Sequence, residues 1–421
     1  MALSFGAELR SRRLAAGVSL TRFARSVNYS KSHISKIENG TKVPGRQLAR
    51  LCDAELDADG KLAALAPGRP AGPDDPPAAD PTREGRWLIE LDPGGRGRFD
   101  AATGNAEWPS TPGPIRDTGH LVDTFRAQFD SLRRMTQSLP PAVLLPVLIT
   151  GTQAVQLTAR SAPEPIRSRL LLLAGRYAEL TGWMAQESGD DDNALWWTGL
   201  AVRYAAEGGD HHIAAYADIR RADIAMYQRN GAKTVSLTRR VQNMNCGGRV
   251  LGLAAQREAQ GHALQGDYDA CRHALDRAAT WWLNRRDDTT EPVLGTSTID
   301  DPVAMATGWC LYDLGRPEQA GRRLVGQLNQ TPRWATRTRA RLGARYALAL
   351  LATGRVEDGC AALATALDDS AGLGSATIRT DLLDAGRHLN RYAAEPAVRA
   401  VMPRLAEVLG AGAIRAVRKG A

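Results

Sequence analysis

Hydrophobic positions recur with helical spacing along most of the chain after about residue 120. Small and apolar residues keep this spacing up to a turn at Gly266, and a second helix is predicted to continue through Ala278. The same arrangement recurs around Gly315 and Gly354. Glycine suits such turns because it adopts positive φ without strain. The pattern therefore predicts consecutive helix pairs joined by short loops.

The spacing of these turns indicates a repeat. The turn residues 231 and 266 are 35 residues apart, 315 and 354 are 39 apart, and 266 and 315 are 49 apart. Two of these distances approach the roughly 34-residue tetratricopeptide period, and the third contains an insertion over residues 285–301. We expect a right-handed solenoid of six or seven helix pairs over residues 119–421. An all-α domain without a true repeat is the alternative.

Residues 67–118 have a different composition. They contain ten prolines mixed with glycine and aspartate, which predicts a linker without a packed core. Within it, residues 87–91 alternate partly, residues 92–95 form a turn signal, and residues 96–99 could return as a second strand. A hairpin over residues 87–99 is therefore expected. Because a lone hairpin is marginally stable, Trp87 and Phe99 are expected to contact a neighbouring domain.

Residues 1–66 predict four short helices with tight connections. Ser19 is a candidate N-cap for the second helix, and Asn39-Gly40 is expected to end the third. Two short helices joined by a tight turn form a helix-turn-helix. The predicted helices are Phe5 to Arg13, Ser19 to about Val27, Lys31 to Glu38, and a fourth that follows Pro44 and contains Leu48 and Leu51.

The third of these helices carries a specific sequence pattern. Residues 30–40 read S-K-S-H-I-S-K-I-E-N-G, which resembles the recognition helix of Cro/XRE-type regulators, commonly S-x-S-x-I-S-x-I-E-x-G. Residues 13–19, R-L-A-A-G-V-S, are similar to the family's junction of the first and second helices. Leu20 departs from the pattern, because the family usually has Gln there. Over its whole length the chain resembles actinobacterial regulators with this head, a proline-rich linker and a tetratricopeptide body.

The resemblance implies an all-α protein with a lambda-repressor-like DNA-binding domain over residues 1–66. The physics of the third helix agrees, since a short polar face fits the major groove while Ile34 and Ile37 face Phe23 and Ala24. By family position, the residues expected to contact bases are Lys31, Ser32, Lys36 and, between them, His33. The residues expected to lie along the phosphates are Arg13, Ser19, Asn39, Thr41, Lys42 and Arg46.

The distribution of charge supports a polyanionic partner. The chain has 54 basic and 46 acidic residues, a net charge of +8. Residues 1–50 hold ten basic and two acidic side chains, so the remaining chain is balanced. Basic heads of this kind usually bind nucleic acid, although a solvated basic face is the simpler alternative.

Several classes of protein are not expected. No apolar run reaches about 18–20 residues and no signal peptide is evident, so we expect a cytoplasmic protein without membrane contact. Five widely spaced cysteines without a C-x-x-C pair suit a reducing compartment. No phosphate-binding loop, dinucleotide fingerprint or nucleophile elbow occurs, and the Asp190–Asp192 and His211-His212 runs lack ligand spacing. We therefore predict no cofactor, metal site or catalytic residue.

The tryptophans of the body have two interpretations. Core packing between helices is the simpler one. The sharper one is that some line the groove of the solenoid and bind a peptide or small-molecule effector, with residues 285–301 as a rim or lid. The candidates are Trp183, Trp197, Trp282 and Trp309.

Three functional hypotheses follow. The first is a DNA-binding transcriptional regulator, expected to be a homodimer, whose head reads a double-stranded operator. Its body would sense an effector (a peptide, a small molecule or a protein), mediate dimerisation, or both. The second is a tetratricopeptide adaptor that binds partner proteins, with secondary DNA binding; Leu20 is its only support. The third is an enzyme of the helical body, for which no catalytic constellation exists.

Overall fold

The structure is a computed structural model that describes residues 4–27, 29, 31–42, 44, 46–56, 58, 61–62, 65, 86–91, 97–102, 120–210, 212–284 and 294–409. The chain divides into two compact units, the first ending at Asp80 and the second beginning at Pro81. We describe each unit by itself.

The first unit contains four helices where the sequence predicts them. Ser4 caps the first helix by accepting a hydrogen bond from the Ala7 N–H, and Ser19 caps the second by accepting one from the Arg22 N–H, both at 3.3 Å. Gly17 and Gly40 follow the first and third helices with φ of +66° and +71°, the left-handed conformation that ends helices. The helices are α1 (Phe5–Ala15), α2 (Leu20–Ser26), α3 (Lys31–Glu38) and α4 (Arg46–Glu55).

The core of this unit forms where the four helices meet. Phe23, Ile34 and Ile37 are buried in one cluster, as the apolar spacing predicts. Leu20 also packs against this cluster, so the departure from the family pattern adds apolar contact at the start of α2. Helix α1 approaches α3 closely at Gly6, where an added Cβ would lie 2.1 Å from the Ile37 carbonyl oxygen. Only glycine allows this approach.

Two short strands occupy the segment of the predicted hairpin. Strand β1 (Arg86–Leu91) pairs antiparallel with β2 (Gly97–Ala102), and Ile89 is opposite Phe99. The expected packing of Trp87 and Phe99 against a neighbouring domain falls on side chains outside the described part of the chain.

The second unit continues as a series of helices joined by short loops. A 3₁₀ turn (Asn390–Tyr392) precedes the last of them. The helices are α5 (Leu121–Met135), α6 (Pro141–Ser161), α7 (Ile166–Glu187), α8 (Asp191–Glu207), α9 (His212–Tyr227), α10 (Gly231–Gln242), α11 (Gly248–Leu264), α12 (Tyr268–Leu283), α13 (Pro302–Asp313), α14 (Pro317–Gln330), α15 (Thr336–Ala352), α16 (Val356–Ser370), α17 (Ala376–Leu389) and α18 (Pro396–Leu409).

These helices form the predicted repeat of pairs. Each helix packs on the next, and first helices also stack on first helices of the following pair, as in α9 on α11 and α11 on α13. Six pairs run from α7 to α18, preceded by α5 and α6. Glycines with positive φ sit at the predicted turns, among them Gly266, Gly315 and Gly354.

One turn differs in detail from the expectation. At residues 229–231 the positive φ of 56° belongs to Arg229 rather than to Gly231. Asn230 caps α10, accepting a hydrogen bond from the Lys233 N–H at 3.0 Å. Gly231 is the first residue of α10, and an added Cβ would be 2.6 Å from the Gly261 carbonyl oxygen. This glycine is required for close helix approach.

The array of pairs closes on itself through a polar group that we call the Glu187 cluster, which consists of Glu187, Arg337, Arg341, Ser375 and Thr377. Glu187 ends α7 and is fully buried. It accepts hydrogen bonds from Arg337 Nη1 and Arg341 Nη2, each at 2.8 Å, and from the hydroxyls of Ser375 and Thr377. Burial raises the pKa of this carboxyl, but the two guanidiniums and two hydroxyls lower it further, so its pKa lies below the usual value.

Arg337 extends the closure to the loop between α5 and α6. Its guanidinium also donates to the carbonyls of Thr136 and Leu139, each at 2.7 Å. The first helices of the array are thereby joined to α15 and α17.

Helix α6 is the one described helix whose length and composition would suit a membrane span. It packs along α7, and half of its most apolar window is buried in the protein.

Candidate nucleic-acid interface and central cavity

Helix α3 presents a short polar face to solvent. Lys31, Ser32 and Lys36, which the sequence predicts as base contacts, are all exposed. Ile34 and Ile37 on the opposite side are buried in the head core. A helix with this division has its polar face available to the edges of bases in a major groove.

His33 is half-buried beside this face. Its ring meets the Tyr29 ring edge-on, with 5.0 Å between centroids. Partial burial lowers the pKa of His33, and the positive charges of Lys42 and Lys36 lower it further. The His33 ring thus lies against Tyr29 at the edge of the exposed face.

The turn after α3 exposes three more of the predicted residues, Asn39, Thr41 and Lys42. The Thr41 hydroxyl and the backbone N–H groups of Thr41 and Lys42 all donate to the Lys36 carbonyl, at 2.9 to 3.1 Å. These bonds hold the turn against the end of the helix. The backbone that carries the exposed side chains of the turn is consequently held in a defined position.

The remaining residues predicted to contact phosphates are Ser19, Arg46 and Arg13, and they differ in exposure and in how far the structure describes them. Ser19 is exposed at the start of α2, where its hydroxyl caps the helix. Arg46 is the first residue of α4, but its side chain lies outside the described part of the structure.

Arg13 corrects the sequence-based expectation. Instead of facing phosphate, its side chain is 8 % exposed and lies against Glu38, which is 5 % exposed. Arg13 Nε and Nη2 donate to the two carboxylate oxygens at 2.6 and 2.9 Å, and Nη1 donates to the Val18 carbonyl at 2.8 Å. The hydrogen bonds to Glu38 raise the pKa of Arg13 despite its burial. Arg13 thus joins α1, the following loop and the end of α3.

This pairing changes the surface charge of the head. Glu38 is neutralised inside by Arg13, and Glu8 is paired with Arg12 at 2.7 Å. Both acidic residues of the first fifty are therefore in ion pairs, while Lys31, Lys36 and Lys42 are exposed. The result is a basic surface around α3.

A cavity of about 530 Å³ lies inside the second unit. We call it the central cavity. Its walls are formed by residues of α5, α7, α9, α11, α13 and α15, by residues 295–299, and by Thr136, Gln137, Trp334 and Thr377. Of the four tryptophans expected to line an effector groove, Trp183 and Trp309 lie in the wall of this cavity. Residues 295–299 belong to the insertion predicted as a rim, whereas residues 285–293 lie outside the described residues.

The other two tryptophans are elsewhere. Trp197 is buried in the core, with its ring edge-on to Trp196 at 5.0 Å between centroids. Trp282 is buried under the Arg249 guanidinium, which lies 5.0 Å from its ring centroid. Neither contributes to the cavity wall, because each faces a neighbouring helix of the array.

Sequence reasoning missed the charged lining of the central cavity. Its wall contains eight arginines and four carboxylates. Asp223 pairs with Arg220 and Arg257, and Arg220 also donates to the Gln186 amide oxygen at 3.1 Å. The available sequence signal was the presence of arginines within otherwise apolar helices. Because arginine is rarely buried unless it is paired, such positions indicate buried ion pairs. Within the described ranges, no group of three His, Cys, Asp or Glu side chains could hold a metal ion.

Comparison with known proteins agrees with this description of the head. Residues 4–66 match the family model of a helix-turn-helix domain. The first unit therefore carries a helix-turn-helix domain of the Cro/XRE type, followed in the chain by a helical-repeat body. The matched segment stops before the hairpin and the repeats.

No curated protein matches the chain. Among solved structures, Bacillus thuringiensis PlcR in complex with the peptide PapR7 and DNA aligns over 99 % of this chain and 98 % of that chain. The identity is 11 % and the TM-score 0.21, too low for the two chains to be called superimposable.

Proposed function

We propose that this protein is a sequence-specific transcriptional regulator that binds double-stranded DNA through α3 and works in the cytoplasm as a homodimer. The observation that carries the proposal is the exposed basic surface around α3 on a helix-turn-helix domain. Lys31, Ser32 and Lys36 would contact base edges, and Asn39, Thr41 and Lys42 would lie along the phosphates.

The body would regulate this binding. Its central cavity is large enough for a small molecule or part of a peptide, because ligand cavities are commonly about 300–1,000 Å³. Binding there would favour one arrangement of the repeats and so change the affinity of the head for DNA.

DNA binding is tested by selecting bound fragments from a random duplex library with the full chain. Enrichment of one motif is expected. If the dimer places two heads on one face of the duplex, the motif should contain two half-sites about 34–36 Å apart, one helical turn. Light scattering should then give the mass of a dimer. Failure of any motif to enrich would refute the proposal.

Lysine variants separate base reading from phosphate contact. Lys31→Ala should cost about 1–3 kcal/mol on the selected motif and relax the preference at one position. Lys42→Ala should weaken binding equally on all sequences and reduce the slope of log affinity against log salt by about 1. Lys233→Ala is the matched control, because Lys233 is an exposed lysine of the body. Affinity that is indifferent to salt would contradict phosphate contact altogether.

A further inference from the structure

We infer that the central cavity binds an organic anion, a molecule that combines a carboxylate with an apolar or aromatic body. The inference rests on the proposed function in treating the cavity as the sensing site of a regulator. Its support comes from unpartnered donors, from the balance of charge and from the shape of the apolar wall.

Four buried polar atoms of the cavity lining have no hydrogen-bond partner among the residues that the structure describes. They are Tyr227 Oη on α9, Gln256 Nε2 on α11, Trp309 Nε1 on α13 and Arg341 Nε on α15. The residues Gln256 and Trp309 are 1 % and 4 % exposed. Buried polar groups nearly always have partners. A bound molecule that supplies them is therefore expected.

The chemistry of these atoms specifies what the molecule must offer. Amide, indole and guanidinium N–H groups donate and cannot accept, and the neutral Tyr227 hydroxyl also has a proton to donate. Burial raises the pKa of Tyr227, although the nearby Arg341 guanidinium lowers it, so the hydroxyl keeps its proton. Four donors from four helices require acceptor atoms from the ligand.

The residues that carry three of the donors are neighbours. The rings of Tyr227 and Trp309 meet edge-on, with 6.5 Å between centroids. Arg341 is near enough to Tyr227 for each to influence the other's charge state. A single carboxylate, whose two oxygens offer about four acceptor positions, suits such a group of donors.

The charges of the wall favour an anion over a neutral acceptor. Eight arginines and four carboxylates line the cavity, and those carboxylates already have arginine partners. Arg134 is exposed and Arg176 pairs with Asp210 outside the lining, which leaves six arginines for the four carboxylates. Glu187 is held by Arg337 and Arg341, and Asp223 by Arg220 and Arg257. An excess of arginine over carboxylate thus remains along the wall, and a charge that is wholly or partly buried is costly unless it is paired. Water would satisfy the donors but would leave this charge uncompensated.

The apolar part of the wall indicates the rest of the ligand. Ile219, Met226 and Leu342 are buried side chains of the lining, and Trp183 and Trp334 add aromatic surface. Trp334 is 52 % exposed, which is unusual for so large an apolar side chain. A ligand with an apolar body would cover this surface, whereas an inorganic anion would not.

The test uses calorimetric titration of the full chain with matched probes. Naphthalene-2-carboxylate and naphthalene-2-carboxamide have nearly the same shape and differ in charge. Acetyl-Phe-Leu-Phe with a free C-terminal carboxylate and the same peptide with a C-terminal amide make the corresponding comparison for a peptide ligand. We expect one acid to bind with a stoichiometry of one and at least tenfold more tightly than its amide. The acid that binds identifies the source, a free organic acid or a peptide end.

Two tyrosine variants locate the binding. Tyr227→Phe removes only the unpartnered hydroxyl, so it should weaken binding of the acid roughly tenfold, as expected for a lost hydrogen bond to a charged group, without lowering thermal stability. The control Tyr312→Phe removes a hydroxyl that bonds His388 Nε2 at 3.1 Å outside the cavity lining. It should lower stability and leave binding unchanged.

The outcomes distinguish this inference from the proposed function. If neither acid binds, if acid and amide bind equally, or if Tyr227→Phe leaves the affinity unchanged, the inference is overturned and the cavity is filled by water. DNA binding is measured on the same preparations by fluorescence anisotropy with the selected duplex. Anion binding without DNA binding would overturn the proposed function alone, and DNA binding without anion binding would overturn the inference alone.

Discussion

The ion pair of Arg13 and Glu38 offers a quantitative test of how the head is held together. Glu38→Gln keeps the size of the side chain and removes its charge. It would leave the Arg13 guanidinium buried, with only the Val18 carbonyl and one neutral amide oxygen as acceptors. Because removing one partner of a buried ion pair typically costs about 3–5 kcal/mol, we expect a loss of about 3 kcal/mol for this conservative change.

That loss is large relative to the stability of a domain of this size. At roughly 0.05–0.15 kcal/mol per residue, residues 4–66 would have about 3–9 kcal/mol in total. Local unfolding of α1 and α3 should therefore become much more frequent. The frequency of this local unfolding is measured by hydrogen exchange of the full chain, followed by mass spectrometry on peptides from α1 and α3. Peptides from α11 serve as an internal reference.

A second pair in the same domain provides the control. Glu8 contacts Arg12 at 2.7 Å, but their side chains are 19 % and 30 % exposed. Glu8→Gln should therefore cost no more than about 1 kcal/mol, from a solvent-screened pair and its favourable position in the first helical turn. The double variant Arg13→Met with Glu38→Leu should regain most of the loss, because apolar side chains replace both charges. If Glu38→Gln and Glu8→Gln reduce protection equally, the reasoning is refuted.

Two further predictions concern packing and pH. Gly6→Ala should destabilise the head by about 2 kcal/mol or more, because the added Cβ would lie 2.1 Å from a backbone oxygen. Gly199→Ala, which has open space around it, should instead stabilise the body by about 0.5–1 kcal/mol. Hydrogen exchange measures both changes in stability, and equal effects of the two substitutions would contradict the close contact at Gly6. Burial lowers the pKa of His262, so the unfolded chain binds a proton at higher pH than the folded chain. Stability should fall as the pH decreases through the unfolded value of about 6.5, and His262→Gln should reduce that slope in thermal melts; identical slopes would exclude His262 as the cause.

The helices of the head could be predicted because short-range signals define them. Ser19 and Gly40 act through contacts with residues no more than five positions away, and Ile34 and Ile37 show the buried face of α3 by their spacing alone. The burial of Arg13 could not be predicted in this way. Its partner is 25 positions later, and nothing local distinguishes an arginine that faces a carboxylate from one that faces solvent.

The central cavity was predictable only in outline. Helix spacing identifies which residues face neighbouring helices, but the lining depends on the path that the whole array follows. Trp183 and Trp197 lie on adjacent helices, yet only Trp183 reaches the cavity. The carboxylate of Glu187 and the guanidinium of Arg337 are 150 positions apart, a distance over which single-sequence patterns carry no information.

The Glu187 cluster has a consequence for how this protein can vary. In an open repeat array, each repeat contacts only its neighbours, so repeats can be gained or lost with little effect on the others. Here the end of α7 must meet α15 and α17, which permits only one number of intervening repeats. Inserting or deleting a single pair would separate Glu187 from its arginines and leave their charges buried without partners. The number of repeats is therefore set by a carboxylate, and relatives that share the cluster should share the number of helices between its members.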